Sequence, residues 1–598
     1  MKYKPVLVGV CLVFLIAGSI TFFVSKKEEV KPAAGYHQSM YYGSNPGFFT
    51  ESIAPFQDTQ PLTPAPRIFI VNQHVLAASL IAHQFMLAAD PKVEHVILVT
   101  QNNWNAGTAP RITSRYGWKT PLGDMEPDTP FINALEEKNL VVVDETIFAR
   151  EHGITGVMPY VAAAYPNARV TTIVIRDKTQ DALLDELAKE IETVDLSNTV
   201  VVASIDMSHY LPEYLADVHD RRTIEAIQSF DYAGLPALDI DTAPTLHVAL
   251  KVAEQKGLQQ FVETGHVNSA TIVGNPNLNL TTSYITGYFA KGEAVRAKTL
   301  HLLFVGDVML DRGVALHAEK HGVSSLLASL ERMFLGNDAV IGNLEGTITE
   351  NASISIQDNT KLKFTFAPSY ARWLADSGFT AVSQANNHAL DFGTQGYMET
   401  RERLTNAGVL SFGSPLNNLN LTTRLPIRDK VVCLVGYHSL YNPDTIAIVS
   451  EIQNIRQTCS RVIVMSHWGI EYQGTQSPAQ ETAAHSFIDA GADIVVGAHP
   501  HVVQPIEVYK GHPIFYSLGN FIFDQDFSFA TTHGLAVHME LGEKEDRFTL
   551  VPISIKEAEA SIAEGRPADI VRKALVDSRL SADLATSILE TSSFTLSH

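Results

Sequence analysis

From residue 67 onward the chain is punctuated by short apolar runs that stop at a glycine or a polar side chain. In the first half these runs fall at 68–71, 96–100, 141–143, 170–175 and 200–204, and they alternate with helical stretches such as 180–194. Runs of this length bounded by turn signals predict buried strands, and their alternation with helices predicts an α/β unit over 67–296. Polar groups follow the runs: His74, Asn102 and Asn103, Glu151 and His152, then Asp206 and His209. The second half repeats the form more sharply. LLFVGD ends in Asp307, AVIGNLE in Asn343 and Glu345, and VSQANNHALD carries Asn386, Asn387, His388 and Asp391. VIVMSHWG brings His467, and IVVG, closed by Gly497 where the backbone turns, is followed by His499 and His501. In an open α/β sheet, ligands collect beyond the carboxyl ends of the strands, so these five endings predict one convergent site. Imidazoles at i and i+2 leaving a strand can meet on one or two metal ions.

Beyond this region, 534–540 and 548–555 alternate as a closing hairpin around GEKED. The tail, 557–598, predicts one or two amphipathic helices, with Ile570, Val571, Ala574 and Leu575 at helical spacing. The charged, glycine-marked stretch 291–299 suits a boundary, with the two units close together. At the amino end, 1–27 begins with Lys2 and Lys4, runs apolar over 6–24 and ends in Lys26 and Lys27. Nineteen apolar residues span a bilayer core of ~30 Å at 1.5 Å per residue. An uncleaved single-pass anchor with a cytoplasmic amino end is the expectation, and a cleavable signal peptide is the alternative. Residues 28–66, rich in Pro, Gly, Ser and Gln, read as a tether whose aromatic side chains pack in part against the first unit.

Composition changes this picture in two places. A formal net charge of −21 excludes nucleic acid as a partner and opposes electrostatic capture of a polyanion unless a local basic or metal site reverses it. Only Cys11, Cys433 and Cys459 occur, which supports neither a disulfide framework nor a cysteine-based zinc site.

The stretches GDVML, IGNLEG, ANNHALDFG, SHWGIEY and GAHPHVVQPIE with YSLGNFIFD resemble the capsule-synthesis CapA family, associated with poly-γ-glutamate production, over about 298–556. The resemblance implies a metallophosphoesterase-like α/β/β/α sandwich. It places metal ligands at Asp307, Glu345, Asn387, His467, His499 and His501, and a group assisting the leaving oxygen at His388, which Asp391 would orient. Two departures matter. The superfamily's opening Asp-x-His reads Asp307-Val308-Met309 here, and its bridging Asp is replaced by Asn343 and Glu345.

In the first half, WKTPLGD, EHGITGVMPY and ASIDMSHY resemble the Memo-like family, also called AmmeMemoRadiSam system protein B. That family is similar in fold to extradiol dioxygenases. Its first histidine corresponds to His74, but Asn103 stands for its second and Thr264-Gly265 for its Cys-Gly element. Glu151, His152, Asp206 and His209 are therefore expected to form a residual pocket or hydrogen-bond network rather than an oxygen-activating centre. His266 reads as a surface histidine, and Arg115 and Lys119 as solvated charges or a mouth for an acidic ligand.

The expected function is a membrane-tethered, extracytoplasmic hydrolase acting on a phosphoester or related bond of a capsule or envelope polymer or its precursors, within a capsule synthesis complex. One or two divalent ions, Mn, Fe or Zn, would serve it. A non-catalytic assembly or export partner whose site binds polymer carboxylates is the competing expectation, and attack on a γ-glutamyl amide is a third.

Overall fold

The computed structural model describes residues 35–39, 42, 47–275, 278–358 and 360–598. The expected anchor at 1–27 lies outside the described residues; among them, no helix is long and apolar enough to cross a membrane.

Ile68–Val71, His95–Gln101, Arg169–Ile175 and Thr199–Ser204 pair in parallel at the centre of a twelve-stranded sheet. Hydrophobic cores cover both of its faces, which is why these strands are apolar throughout instead of alternating. The expected strand at 141–143 shrinks to Val142–Val143, set against Arg111–Thr113. A long antiparallel hairpin, Gln260–Asn268 with Thr281–Ala290, was not legible, because polar residues interrupt its first strand. The stretch read as a tether is shorter than expected. Tyr36–Gln38 adds a parallel strand beside Gly117–Thr120, Phe48–Ile53 forms a helix, and Tyr42 and Phe49 enter the core.

The second half builds two sheets. The nine-stranded sheet holds β1 (Leu300–Val308), β2 (Ala339–Leu344) and β3 (Ala381–Ser383) in parallel, with His533–Leu541 and Glu545–Lys556 continuing it antiparallel. The six-stranded sheet holds β4 (Lys430–His438), β5 (Arg461–His467) and β6 (Ile494–Ala498) in parallel. Leu302 and Phe304 of β1 and Ile341 of β2 share one core with Leu434, Ile463 and Val496, so the sheets pack face to face. Helices lie outside each: Ile446–Ile455 and Pro478–Ala490 cover the second sheet, and Ser369–Asp376 covers the first. The order is helix, sheet, sheet, helix.

Two expectations are corrected here. Cys433 of β4 and Cys459, two residues ahead of β5, form a disulfide with Cα atoms 5.9 Å apart, because the parallel pairing of β4 with β5 brings the segment that leads into β5 alongside β4. The tail is more than helical: Gly565–Ala574 and Ala582–Thr591 are helices, but Glu559–Ile562 and Ser593–Ser597 are strands flanking Glu545–Lys556. Of the four residues at helical spacing, Val571 and Leu575 reach the core between the sheets, whereas Ile570 is 39% exposed.

The two halves meet along α1 (Glu213–Ser229). Leu215, Ala216 and Val218, with Leu211 just before the helix, belong to the same hydrophobic cluster as Leu303 and Val305 of β1. Charges drawn into such a junction need partners, and ion pairs bridge the two halves here. Arg221 donates through Nε and Nη2 to the two Glu540 oxygens at 2.8 and 2.7 Å, and Arg332 pairs with Asp239. One Glu225 oxygen accepts the N–H groups of Lys298 and Thr299 at 2.9 and 3.0 Å, and the other lies 2.9 Å from His301 Nε2. Burial pushes the Glu225 carboxyl up, but the His301 bond and charge and the two backbone N–H groups outweigh it and hold it down at about 2. A carboxyl whose folded value lies below its unfolded one, 4.5, adds stability above that pH and loses it as pH falls through about 2. Glu225→Gln should therefore destabilise the protein by about 2 kcal/mol at pH 7, read as a lower unfolding midpoint. The gap from the parent should close between about pH 4.5 and 2; a gap that stays constant with pH would remove the charge of Glu225 as its cause.

Candidate metal centre

The carboxyl ends of strands from both sheets converge on one buried seam. Asp307 sits in β1 opposite Asn343 of β2, and Glu345 follows β2 directly. In the facing sheet, His438 of β4, His467 of β5 and Ala498 of β6 stand in register, with His499 and His501 in the turn beyond. Close backbone approach makes the convergence possible. A Cβ on Gly306 would stand 2.0 Å from the Gly519 carbonyl oxygen, and one on Gly497 1.9 Å from that of Tyr516. Gly497 is therefore required for lack of bulk rather than for turning, and the turn falls on the histidines. His499 and His501 carry φ of +94° and +58°, a left-handed backbone that costs a residue with a side chain about 1–3 kcal/mol and recurs at functional sites.

All eight expected site residues gather around this seam, in three groups. Asp307, Glu345, His499 and His501 form the first. Asp307 Oδ1 accepts from Asn343 Nδ2 at 2.8 Å, while its Oδ2 accepts the His499 N–H at 3.2 Å and faces His501 Nδ1 at 3.3 Å. Glu345 is 1% exposed, and neither of its carboxylate oxygens has a hydrogen-bond partner among the described residues. The nearest imidazole nitrogens are His501 Nε2 at 3.6 Å and His388 Nε2 at 3.8 Å. The second group is His467 and Asn387, joined Nε2 to Oδ1 at 2.7 Å, with the His467 ring 4.7 Å from that of His499. The third is His388, whose Nδ1 lies 2.8 Å from Asp391 Oδ2 and whose ring stacks on Phe364 at 4.2 Å. Asp391 is itself fixed by the Phe364 N–H at 2.7 Å.

Burial dominates the electrostatics. It pushes Glu345 well above the ordinary carboxylate range and drives His499 down to about 3. Burial also lowers His467, with help from the neighbouring imidazoles. His501 is the exception: burial works against its charge, but Glu345 and Asp307 outweigh that and raise it to about 9. The seam thus holds buried acidic groups beside a ring, His501, that is favoured in its protonated form. An unpaired buried carboxylate costs several kcal/mol, and a cation beside Glu345 removes that cost.

The donor set fits a metal ion. Ligand atoms of Asp307, Glu345 and His501 lie within 4.8 Å of one another, as do those of Glu471, His499 and His501. The buried His499 Nδ1 has no partner. Glu471 was missed as a candidate although SHWGIEY contains it, because it lies four residues past His467 in a turn and not at a strand end. Asn343 plays a different part from the carboxylate it replaces: its Nδ2 faces Asp307 and lies 3.2 Å from His467 Nδ1, and its Oδ1 accepts from Asn386. Met309, where an imidazole was expected, is fully buried, with its sulfur accepting the Asp311 N–H.

The polar pocket of the first half is a bonded network. Asn103 donates to Glu151, which burial raises to about 7, and Asp206 accepts the N–H groups of Gln73 and His74. His209 lies 3.1 Å from Asp241, and with Asp206 these form a further group able to hold a cation. His266 stands apart, paired with Asp220 at 2.8 Å, and Arg115 is paired with Glu136.

Comparison with known proteins agrees with this division. Residues 301–525 match the family model described as bacterial capsule synthesis protein PGA_cap, and residues 51–273 match that of Memo-like proteins. The PGA biosynthesis protein CapA of Bacillus subtilis is 33% identical over 290 residues, covering 45% of this chain and 76% of that protein. The capsule biosynthesis protein CapA of Bacillus anthracis is 28% identical over 279 residues, covering 43% and 68%. In the first half, a MEMO1 family protein of Methanopyrus kandleri is 32% identical over 164 residues, covering 26% of this chain and 56% of that protein. The chain therefore belongs to the CapA family of bacterial capsule synthesis proteins, carrying a Memo-like region ahead of its CapA region.

Proposed function

We propose that this protein is a membrane-tethered, extracytoplasmic, metal-dependent hydrolase of a phosphoester or related bond in capsule or poly-γ-glutamate synthesis. The observation that carries the reading is the unpartnered, buried Glu345 carboxylate, with His501 on one side and the His388–Asp391 pair on the other. Asp307, Glu345, His499 and His501 would hold one or two ions with Glu471, and His467 and Asn387 would close the shell. Mixed nitrogen and oxygen donors suit Mn, Fe or Zn. When bound, such an ion supplies Lewis-acid polarisation and a nucleophile at neutral pH. The chain's own part is to move a proton. Asp391 accepts from Nδ1 of His388, which fixes the tautomer and turns Nε2 toward Glu345 and the centre. When doubly protonated, the ring can deliver its Nε2 proton to a departing oxygen and return to the neutral Nδ1–H form held by Asp391. The helix, sheet, sheet, helix order is consistent with the metallophosphoesterase-like sandwich that the reading requires.

Extracytoplasmic placement rests on the apolar run 6–24 and on the Cys433–Cys459 disulfide, which suits an oxidising compartment. A non-catalytic partner in polymer assembly is the second reading. It is favoured by Met309 and Asn343, which leave the centre with fewer ligands than a two-metal hydrolase uses.

Three outcomes test the proposal. His499→Ala should lower metal content and, with it, thermal stability; full occupancy measured by elemental analysis would exclude it as a ligand. His388→Ala should keep the metal and lose roughly 10²-fold to 10⁴-fold in turnover. That loss should shrink for substrates whose leaving groups need no proton, and unchanged turnover on a verified phosphodiester would end the acid assignment. Protease added to intact spheroplasts should degrade the bulk of the chain, whereas full protection would place it in the cytoplasm.

A further inference from the structure

Arg312 opens the helix Arg312–His321 five residues after Asp307, with a left-handed backbone at φ +50°. Its guanidinium pairs with Asp524 and lies over two rings, 4.9 Å from the centre of Phe364 and 5.6 Å from that of Phe523. Those are the rings that back the centre: Phe364 stacks on His388, and Phe523 packs 4.8 Å from His501. The cation is thus held between the proposed acid and a proposed metal ligand.

The pair with Asp524 does not exhaust it. Asp524 uses its other oxygen on the Gly313 N–H at 2.9 Å, so the loop is already tied to the helix start without the side chain. A guanidinium has five N–H donors; Asp524 engages Nη2, and the buried Nε has no partner among the described residues. Apart from His501, the surroundings are acidic, with Asp307, Glu345 and Glu471 in the seam and −21 on the whole chain. An anionic substrate therefore needs a cationic receptor of its own beside the metal.

We propose that Arg312, aimed by Asp524 and clamped between Phe364 and Phe523, receives the anionic oxygens of a phosphate group at the metal centre and so selects phosphoesters over neutral esters and amides. This rests on the hydrolase reading above and narrows its substrate class. A planar fork matches two phosphate oxygens at once, which a lysine ammonium cannot do.

The test uses the full chain loaded with Mn²⁺ and inorganic phosphate as the probe, followed by calorimetry and by elemental analysis of the same samples. Arg312→Gln should keep its metal and bind phosphate roughly 10- to 100-fold more weakly. Arg312→Lys, which keeps the charge and guards against a folding defect in the first variant, should recover only part of that loss. Phosphate affinity within about twofold of the parent in a metal-loaded Arg312→Gln protein overturns the role of Arg312 and leaves the hydrolase reading standing. A parent that takes up no metal overturns both, and a metal-loaded parent that ignores phosphate overturns the assignment of a phosphate receptor.

Discussion

Two carboxylates, Asp307 and Glu345, are buried where the ends of two sheets meet, and much of the second half is arranged around keeping them there. Glu345 is buried, and no donor among the described residues satisfies it. Such a group is tolerated only where the surrounding fold is rigid and something else supplies positive charge. The rigidity comes from the two sheets and the shared core of Leu302, Phe304, Leu434 and Ile463. The charge comes from His501 in part, and a bound cation would supply the remainder. The strained turn at His499 and His501 belongs to the same arrangement, since it brings the His499 N–H and the His501 ring onto Asp307.

The part of this that could be read from the chain is the part that repeats. Each apolar run ending in Asp, Glu, Asn or His marks a parallel strand whose carboxyl end faces the seam, and strand ends are where α/β sheets gather ligands. That rule reached Asp307, Glu345, His467, His499 and His501. It did not reach Glu471 or Arg312, which come from turns and a helix start, where position depends on how loops cross in space. The Cys433–Cys459 pair escaped for the same reason: the two are 26 residues apart in sequence, and the segment that holds Cys459 reaches Cys433 only because β5, which follows it, pairs with β4. The hairpin Gln260–Asn268 with Thr281–Ala290 escaped because its first strand is half polar and its partner's pattern offers no turn signal of fixed type. The glycines were legible as constraints but not in kind, since nothing in IVVG distinguishes a turn from a backbone pressed against the Tyr516 carbonyl.

The Memo-like region bears on the CapA region through packing rather than through shared chemistry. Its polar pocket is closed on itself by Asn103, Gln73, Asp206 and Asp241. Its helix Glu213–Ser229, by contrast, is built into the neighbouring unit: it supplies apolar side chains to the core behind β1, and Glu225 caps the start of that strand, whose far end carries Asp307.

This shared helix also bears on how the chain matures. Residues 213–229 are made before 300–308, so the apolar face of the helix exists for a time without the strand that covers it. Segments left uncovered in this way are where nascent chains associate wrongly. The order of emergence thus leaves the apolar face at the junction uncovered while the second half is still being made, a place where a chaperone would have something to protect.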